Sequence, residues 1–443
     1  MDRHITHSPR ATALAIGVIF FVNGATFGAW APRLPEIRER LDVSDTVLGL
    51  TLVGGGLGGL VMSLVSGLLV DRVGSRAATV WTALALTAIM PLVAVVPLPA
   101  LFFVLLLAIG GLDGLTDVAM NTQAIQLQQG LSRSILNRMH ATWSIGTLVS
   151  GVITSALATT WITLPWQLTV TAVLLAVMVV VASRFLLAPE PRHADERTGM
   201  TGSNGMTGSN GMTGSNDMTG LDAMAEPLDD PPTGTTGAGT AASPAEVGAA
   251  PTRSERPSRR LLTGLFGVGV LAVLVELPPT EWAALLMEER HGLSVGAAGL
   301  GFVGFTAGMV IGRLSGDLLV DRFDPERVRR VSAGIAGAGL LIATTGPAPV
   351  VSVIGFVLAG MGAAAMFPMA VRRAGELVPG ATGVAMFSSG ARLGILLGPL
   401  LMGNLSDAAS RSVALAVVGL VGALPLLLIR LPDAPTRPST PAM

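Results

Sequence analysis

The chain has 443 residues, of which 50% are hydrophobic and 13% are charged, and its formal net charge at pH 7 is −1. Its mean hydropathy of +0.64 exceeds what a water-soluble domain of this size reaches, so the composition indicates a membrane protein. Cysteine is absent, which excludes disulfide bonds, thiol catalysis and thiolate metal sites.

Twelve apolar stretches are long enough to cross a bilayer as helices. The first follows Arg3 and Arg10 and is too long for the core of a cleavable signal, so we interpret it as a spanning helix. The predicted fold is an all-α membrane protein with twelve transmembrane helices in two six-helix pseudo-symmetric bundles. The stretches cover residues 11 to 31, 46 to 70, 77 to 97, 99 to 129, 139 to 160, 163 to 187, 261 to 287, 294 to 320, 328 to 346, 348 to 371, 381 to 403 and 411 to 430.

The second and eighth stretches carry a repeated segment. Gly59-Leu-Val-Met-Ser-Leu-Val-Ser-Gly67 precedes Leu-Leu-Val-Asp71-Arg72, and Gly308-Met-Val-Ile-Gly-Arg-Leu-Ser-Gly316 is followed, after one residue, by Leu-Leu-Val-Asp321-Arg322. Duplicated membrane halves are typical of transporters that move one half against the other around a site at mid-membrane depth.

The polar segment 188 to 258 separates the two halves and contains Gly-Met-Thr-Gly-Ser-Asn three times in succession from residue 199. This composition predicts a disordered cytoplasmic linker between an amino-terminal bundle, 1 to 187, and a carboxy-terminal bundle, 259 to 443. Arginines concentrate in the short loops on the side of the termini, which predicts cytoplasmic termini and a multi-pass protein of the inner (plasma) membrane. Residues 32 to 45 are then an outward loop.

Charged residues inside the spanning stretches are candidate functional residues, because a charge at mid-membrane depth costs about 3 kcal/mol or more. Asp113, Asp117 and Asn121 are spaced four residues apart, which places them on one helix face that must point into the bundle. Burial favours the neutral form of a carboxyl group, so such a residue can bind a proton on one side and release it on the other. Asp117 is the predicted proton-coupling residue. The alternative is that Asp117 or Asp113 only pairs with an arginine.

The seventh stretch contains Glu276, which is a second candidate for proton coupling or else a structural ion-pair partner. Pro278 and Pro279 follow it and are expected to break or kink the helix. Glu281, nearer the helix end, is interpreted as an interfacial residue.

Two arginines lie within the apolar stretches of the second half. Arg392 is expected to counter the charge of Glu276 or Asp117, or to bind substrate through its planar guanidinium. Arg313 is expected to form a local ion pair with Asp317, four residues away.

The segment between the second and third stretches reads Gly67-x-Leu69-x-Asp71-Arg72-x-Gly74-x-Arg76, and it resembles the loop motif of the major facilitator superfamily. In that family the motif is a latch that favours one of two alternating states. The resemblance therefore implies gating roles for Asp71, Arg72 and Arg76, with Asp321 and Arg322 as a degraded second copy.

Three further segments are similar to the fucose-permease-like branch of this superfamily. They are Gly110-Gly111-Leu-Asp113-Gly114-Leu-Thr-Asp117-Val-Ala-Met-Asn121, then His140-Ala-Thr-Trp143-Ser144-x-Gly146, and Gly360-x-Gly362-x-x-x-Met366-Phe367-Pro368. The resemblance implies proton/sugar symport. These symporters also carry an acid in helix 1, and residues 11 to 31 contain none. This chain therefore lacks one of the two carboxylates that the resemblance implies, and Glu276 is the candidate replacement.

Predicted substrate-binding residues are polar or aromatic side chains of the spanning stretches, namely Asn23, Asp113, Asn121, His140, Trp143 and Arg392. We expect a monomeric transporter of a small polar, sugar-like solute, with protons and the lipid bilayer as its other partners and no nucleic acid, cofactor, metal or enzymatic activity. A phosphate-binding loop requires a lysine that this chain lacks, so an ion gradient must supply the energy. The alternatives are a proton-driven exporter of drugs or metabolites and a membrane sensor that no longer transports.

Overall fold

The computed structural model describes residues 8–131, 135–187, 258–378 and 382–430, and within these ranges the chain is helical without strands. We number the long helices in chain order. They are α1 (Pro9–Gly28), α2 (Asp45–Val73), α3 (Ser75–Ile89), α4 (Pro99–Gln129), α5 (Leu136–Leu157), α6 (Leu164–Ser183), α7 (Arg259–His291), α8 (Leu300–Arg322), α9 (Pro325–Thr345), α10 (Pro349–Leu377), α11 (Thr382–Ala408) and α12 (Arg411–Leu428).

The described residues include ten helical segments that are long and apolar enough to cross a membrane. The long helices α5 and α9 are not among them, since polar or charged residues in their first turns lower their hydropathy. The prediction of an all-α, multi-pass membrane protein is confirmed, and the described residues contain the twelve long helices expected for two six-helix bundles. Of the predicted linker, 188 to 258, all but Ser258 lies outside the described residues.

The segment predicted as an outward loop, 32 to 45, is mostly helical, which corrects that expectation. It contains a 3-10 turn, Ala31–Arg33, and a short helix, Leu34–Leu41. Arg33 is 5% exposed, and its Nη1 donates to Oε1 of Gln167 at 2.8 Å. This arginine binds protein groups instead of solvent, which is why charge alone misrepresents the segment as a loop.

Helix α7 continues through Pro278 and Pro279, so of the predicted break or kink, the break does not occur. Prolines remove backbone donors inside a helix, but hydrogen bonding resumes on either side of them. Thr280, the next residue, donates its hydroxyl to the carbonyl oxygen of Leu277 at 2.6 Å and thereby satisfies one carbonyl in this region.

Within each half, helices approach closely at glycines. A β-carbon on Gly110 of α4 would clash with the backbone of Gly55 on α2, and one on Gly360 of α10 would clash with the Phe305 carbonyl on α8. The α2/α4 and α8/α10 pairs are equivalent in the two halves. The duplication read from the sequence is thus also present in the packing.

The first half, residues 8–187, contacts the second, residues 258–430, chiefly through α2 with α11 and α5 with α8. Because successive long helices run antiparallel, one end of the bundle holds the start of α1 and the end of α12. We call it the terminal end, and the opposite end, where α1 finishes and α2 begins, the far end.

The described contacts between the halves close the far end. A β-carbon on Gly49 of α2 would clash with the Pro399 carbonyl of α11, and one on Gly151 of α5 would lie 2.6 Å from the Phe302 ring of α8. On the part of α2 near the terminal end, a β-carbon on Gly67 would meet nothing within 4 Å. The two halves are therefore packed together at the far end and more open toward the terminal end.

Candidate functional site

Asn23 on α1 is the centre of a hydrogen-bonded group midway along the helices of the first half. Its Nδ2 donates to Oδ1 of Asp113 on α4 at 2.8 Å, and its Oδ1 accepts from Nε1 of Trp143 on α5 at 2.8 Å. Helix α1 approaches α5 this closely because residue 24 is glycine, and a β-carbon there would clash with the Trp143 carbonyl oxygen. One buried amide thus orients side chains from three helices, all predicted to bind substrate.

Arg313 on α8 extends this group into the second half. Its guanidinium carbon lies 5.6 Å from the centroid of the Trp143 ring, a cation–π distance. One terminal nitrogen donates to Oγ of Ser144, and the other lies 3.2 Å from Oε1 of Glu276 on α7. The guanidinium therefore joins α5 of one half to α7 of the other. We call the connected residues the central polar chain: Asp113, Asn23, Trp143, Arg313 and Glu276.

These contacts change the expectations for both membrane arginines. Arg313 was assigned to Asp317, whose side chain lies outside the described residues, but it binds Glu276 and Ser144. Arg392 was assigned to Glu276 or Asp117, and it makes no hydrogen bond or ion pair with any residue that the structure describes. Sequence spacing did not identify Ser144 and Glu276 as partners of Arg313, because contacts between helices are not encoded at a fixed spacing.

Asp117 lies one turn along α4 from Asp113 and is exposed, with its Oδ1 accepting from Nδ2 of Asn121 at 3.0 Å. The outward-facing positions of α4 include Val104 and Ala108. Nine residues separate Ala108 from Asp117, a rotation of about 180° around an α-helix. Asp117 therefore lies on the side of α4 opposite to Ala108.

His140 lies one helical turn before the central polar chain, toward the terminal end. It is exposed, and its ring meets Phe20 edge to face, with 5.4 Å between ring centroids. Its carbonyl accepts from the Ser144 hydroxyl at 3.1 Å. Of the predicted substrate-binding residues, His140 and Asn121 flank the chain and Arg392 stands apart on α11.

A second polar cluster fastens the far end. Arg411 on α12 forms two hydrogen bonds with the Asp45 carboxylate on α2, Nε to Oδ2 at 2.7 Å and Nη2 to Oδ1 at 2.9 Å. Asp407 on α11 accepts from the backbone N–H groups of Asp45 and Thr46 at 3.0 and 2.8 Å. We call Asp45, Asp407 and Arg411 the far-end lock, since they tie the first turn of α2 to two helices of the other half.

Sequence reasoning missed the far-end lock. An acid in the first turn of a helix is a common stabilising residue, so Asp45 gave no distinctive signal. Arg411 gave no distinctive signal either, because it stands at the very start of an apolar stretch. Both side chains are nearly fully buried in the structure, with relative exposures of 6% and 8%.

The predicted gating residues lie at the terminal end. Arg76 donates to the carbonyl oxygen of Ser183, the last residue of α6, at 2.8 Å. Asp71, Arg72 and Arg322 are exposed, and the side chain of Asp321 lies outside the described residues. The hydrogen bond of Arg76 is therefore made within the first half.

No group of three or more histidine, aspartate or glutamate side chains with the geometry of a metal site occurs in the described part of the chain. The central polar chain consists of hydrogen-bond donors and acceptors, one ion pair and one aromatic ring. Such a set can bind a hydroxylated solute or exchange protons.

Comparison with known proteins identifies relatives along almost the whole chain. A family model described as Major Facilitator Superfamily matches residues 16–285 and 264–443. An uncharacterized MFS-type transporter of Yersinia pestis is 26% identical over 411 residues, which is 91% of each protein. An uncharacterized transporter of Sinorhizobium fredii is 28% identical over 411 residues, covering 91% of this chain and 94% of that protein.

Solved structures share the fold at low identity. The nucleoside transporter NupG, as a mutant, matches with a TM-score of 0.68 and 13% identity, covering 94% of this chain and 99% of that one. The fucose:proton symporter FucP of E. coli matches with a TM-score of 0.55 and 16% identity, covering 95% and 98%. The expected resemblance to the fucose-permease-like branch is confirmed.

Proposed function

The chain belongs to the major facilitator superfamily of transporters, and on that premise we propose that it moves a small polar, sugar-like solute by proton-coupled alternating access. The observation that carries the proposal is the central polar chain. It runs from α4 through α1 and α5 to α8 and α7, so it connects both halves at the depth where such transporters bind their solutes.

The chemistry of this chain favours a hydroxylated ring as solute. Asp113, Asn23 and Asn121 supply acceptors and amide donors for hydroxyl groups, and the Trp143 ring supplies an apolar face. Arg313 covers one face of that ring at 5.6 Å, so a solute that stacks there displaces the guanidinium. The two solved neighbours, described as a nucleoside transporter and a fucose:proton symporter, handle solutes with hydroxylated rings. His140 and Arg392 extend the proposed binding region on either side.

Proton coupling is proposed through Glu276 and Asp117. Ionised Glu276 holds Arg313, which also binds Ser144 across the interface between the halves. A proton on Glu276 removes this attraction and frees the guanidinium for the solute or for another carboxylate. Asp117 faces the opening toward the terminal end and exchanges protons with the compartment that the opening contacts.

The proposed orientation has both termini in the cytoplasm and a monomeric protein in the inner membrane. The far-end lock is then the external gate. The gate at the cytoplasmic side comprises Asp71, Arg72 and Arg76 with their second copy, Asp321 and Arg322.

The proposal is tested with purified protein in vesicles, using a panel of labelled hexoses, 6-deoxyhexoses and nucleosides. We expect an imposed pH gradient to drive accumulation of at least one class by the wild type. Asp117→Asn and Glu276→Gln should abolish gradient-driven accumulation and retain counterflow, because exchange needs no net proton movement. Glu39→Gln, at an exposed glutamate of the short helix, is the matched control. Undiminished accumulation by both coupling variants would refute the assignment.

A further inference from the structure

Helix α7 carries four glutamates, and one of them has no partner. Glu276 binds Arg313, and Glu288 and Glu289 lie 4.0 and 3.4 Å from the Arg411 guanidinium. Glu281 makes no hydrogen bond or ion pair with any described residue, and its Oε2 is buried without a donor. Buried polar atoms are nearly always satisfied in folded proteins, so this carboxyl group requires an explanation.

The surroundings of Glu281 offer no compensating positive charge. The arginines on elements packed against α7 are otherwise engaged: Arg313 on α8 with Glu276, and Arg411 on α12 and Arg38 on the short helix with Asp45. Arg392 on α11 is not within 4.0 Å of Glu281, the limit for an ion pair.

Three further titratable groups, on α7 or on helices packed against it, have partners of their own. His291, at the end of α7, binds the Ser352 hydroxyl of α10 at 2.9 Å, and Glu376 at the opposite end of α10 pairs with Arg372 and Arg373. Asp407 of α11 accepts from the backbone of α2. An ionised Glu281 would therefore be stranded, and the neutral acid is the form that this conformation accommodates.

The position of Glu281 links it to the closed far end. It lies five residues beyond Glu276 and seven before Glu288, or about 7.5 and 10 Å along an α-helix. Seven residues are nearly two full turns, so Glu281 shares a face with Glu288 beside the far-end lock. The next residue, Trp282, is 0% exposed and its Nε1 is also buried without a partner. Two adjacent residues of this turn of α7 thus each bury a polar atom without a partner among the described residues.

We propose that Glu281 is a proton-binding site that is occupied while the far end is closed and releases its proton when the far end opens. This inference rests on the proposed alternating access and adds a third carboxyl group to the proposed coupling residues. Loss of the proton would favour opening of the far end, since water that enters there can solvate the carboxylate.

The absence of cysteine allows a direct test without a known solute. Leu52 is 5% exposed and lies on α2 between Gly49 and Gly56, both of which face α11. A single Leu52→Cys reporter is labelled in purified protein with a hydrophilic maleimide, with and without Glu281→Gln. At each pH, the labelling rate of the protein that retains Glu281 is divided by the rate of the Glu281→Gln protein. This ratio cancels the pH dependence of thiol chemistry.

We expect this ratio to rise at least about tenfold between about pH 5 and about pH 9, since each pH unit changes proton occupancy up to tenfold. As the control, the Leu52→Cys reporter with Glu39→Gln should be labelled at the same rate as the reporter without a second substitution. A ratio that does not change with pH overturns the inference.

A second measurement covers the case in which Glu281→Gln does not fold. Infrared difference spectra between about pH 5 and about pH 9 should show the carbonyl stretches of protonated carboxylic acids, and Glu281→Met should lack one band that the wild type shows. Identical carbonyl bands in the wild type and in Glu281→Met overturn the inference. The proposed function is judged separately, by whether wild-type vesicles accumulate any solute of the panel under a pH gradient.

Discussion

Arg411 holds Asp45 through two hydrogen bonds of 2.7 and 2.9 Å between residues 366 positions apart in the chain. The pair joins the first turn of α2 to the first turn of α12, and both side chains are buried. Breaking a buried pair by removing one partner leaves the other charge uncompensated, at a cost of about 3 to 5 kcal/mol.

Removal of this pair should open the far end. In the Leu52→Cys reporter, Asp45→Ala is expected to raise the maleimide labelling rate at least about tenfold, since each 1.4 kcal/mol corresponds to a factor of ten. Asp407→Asn should have a smaller effect, because the amide oxygen can still accept one of the two α2 N–H groups. Glu39→Ala, on the nearby surface, should leave the rate unchanged. Equal rates in all four proteins would mean that the lock does not hold the far end closed.

The bridging role of Arg313 predicts that lysine cannot replace it. An ammonium group keeps the charge but cannot contact Ser144, Glu276 and the Trp143 ring together as the guanidinium does. Arg313→Lys should reduce initial rates of solute exchange by about tenfold or more, on the basis that charge-assisted hydrogen bonds contribute about 1.5 to 3 kcal/mol.

The matched comparison for Arg313 is Arg392→Lys, which changes a guanidinium without described partners. A larger loss in Arg392→Lys than in Arg313→Lys would place the essential guanidinium on α11. Size-exclusion profiles of both variants check that the fold is intact.

The close approach of α1 and α5 predicts a position-dependent effect of alanine. A β-carbon on Gly24 would clash with the Trp143 carbonyl, whereas one on Gly17 would lie 3.8 Å from the Met139 sulfur, an ordinary contact. Gly24→Ala should push the helices apart, lengthen the Asn23–Trp143 hydrogen bond and destabilise the protein by about 1 to 3 kcal/mol.

Gly17→Ala should be neutral or stabilising, since alanine is favoured over glycine inside helices by about 1 kcal/mol. Thermal unfolding in detergent compares the two variants. Similar midpoints for Gly24→Ala and the wild type would contradict the packing argument.

Asp113 is expected to act on Asn23 mainly as a hydrogen-bond acceptor. Asparagine at 113 retains a carbonyl oxygen for the Asn23 Nδ2 donor, whereas leucine of similar size does not. Counterflow of the transported solute should therefore survive in Asp113→Asn and be strongly reduced in Asp113→Leu. If Asp113→Asn loses counterflow as completely as Asp113→Leu, the negative charge itself is required.

Helix number, the duplication and the membrane location could be predicted from the sequence alone. The reason is local: a run of about 20 apolar residues must satisfy its backbone as a helix in lipid, whatever its neighbours are. The same reasoning located Asp113, Asp117 and Glu276 as unusual, since the cost of a membrane charge depends on depth and not on a specific partner.

Errors arose where a prediction depended on a partner. The sequence did not identify the partners of Arg313, which are Ser144, 169 positions away, and Glu276, 37 positions away. The segment 32 to 45 was expected to be an outward loop, but it is mostly helical and its arginines bind groups elsewhere in the first half. Asp45 had no distinctive pattern in the sequence, and its role follows only from its contact with α12.

The sequence by itself determined that this chain spans the membrane as two related sets of helices and which charges lie inside them. Tertiary structure alone decided how those charges combine, which end is closed and that the buried Glu281 oxygen has no partner among the described residues. The physical reason is that membrane spanning follows from the hydropathy of consecutive residues. Ion pairs and hydrogen bonds between helices depend instead on the rotation and register of each helix, and these are fixed by packing contacts between residues far apart in the chain.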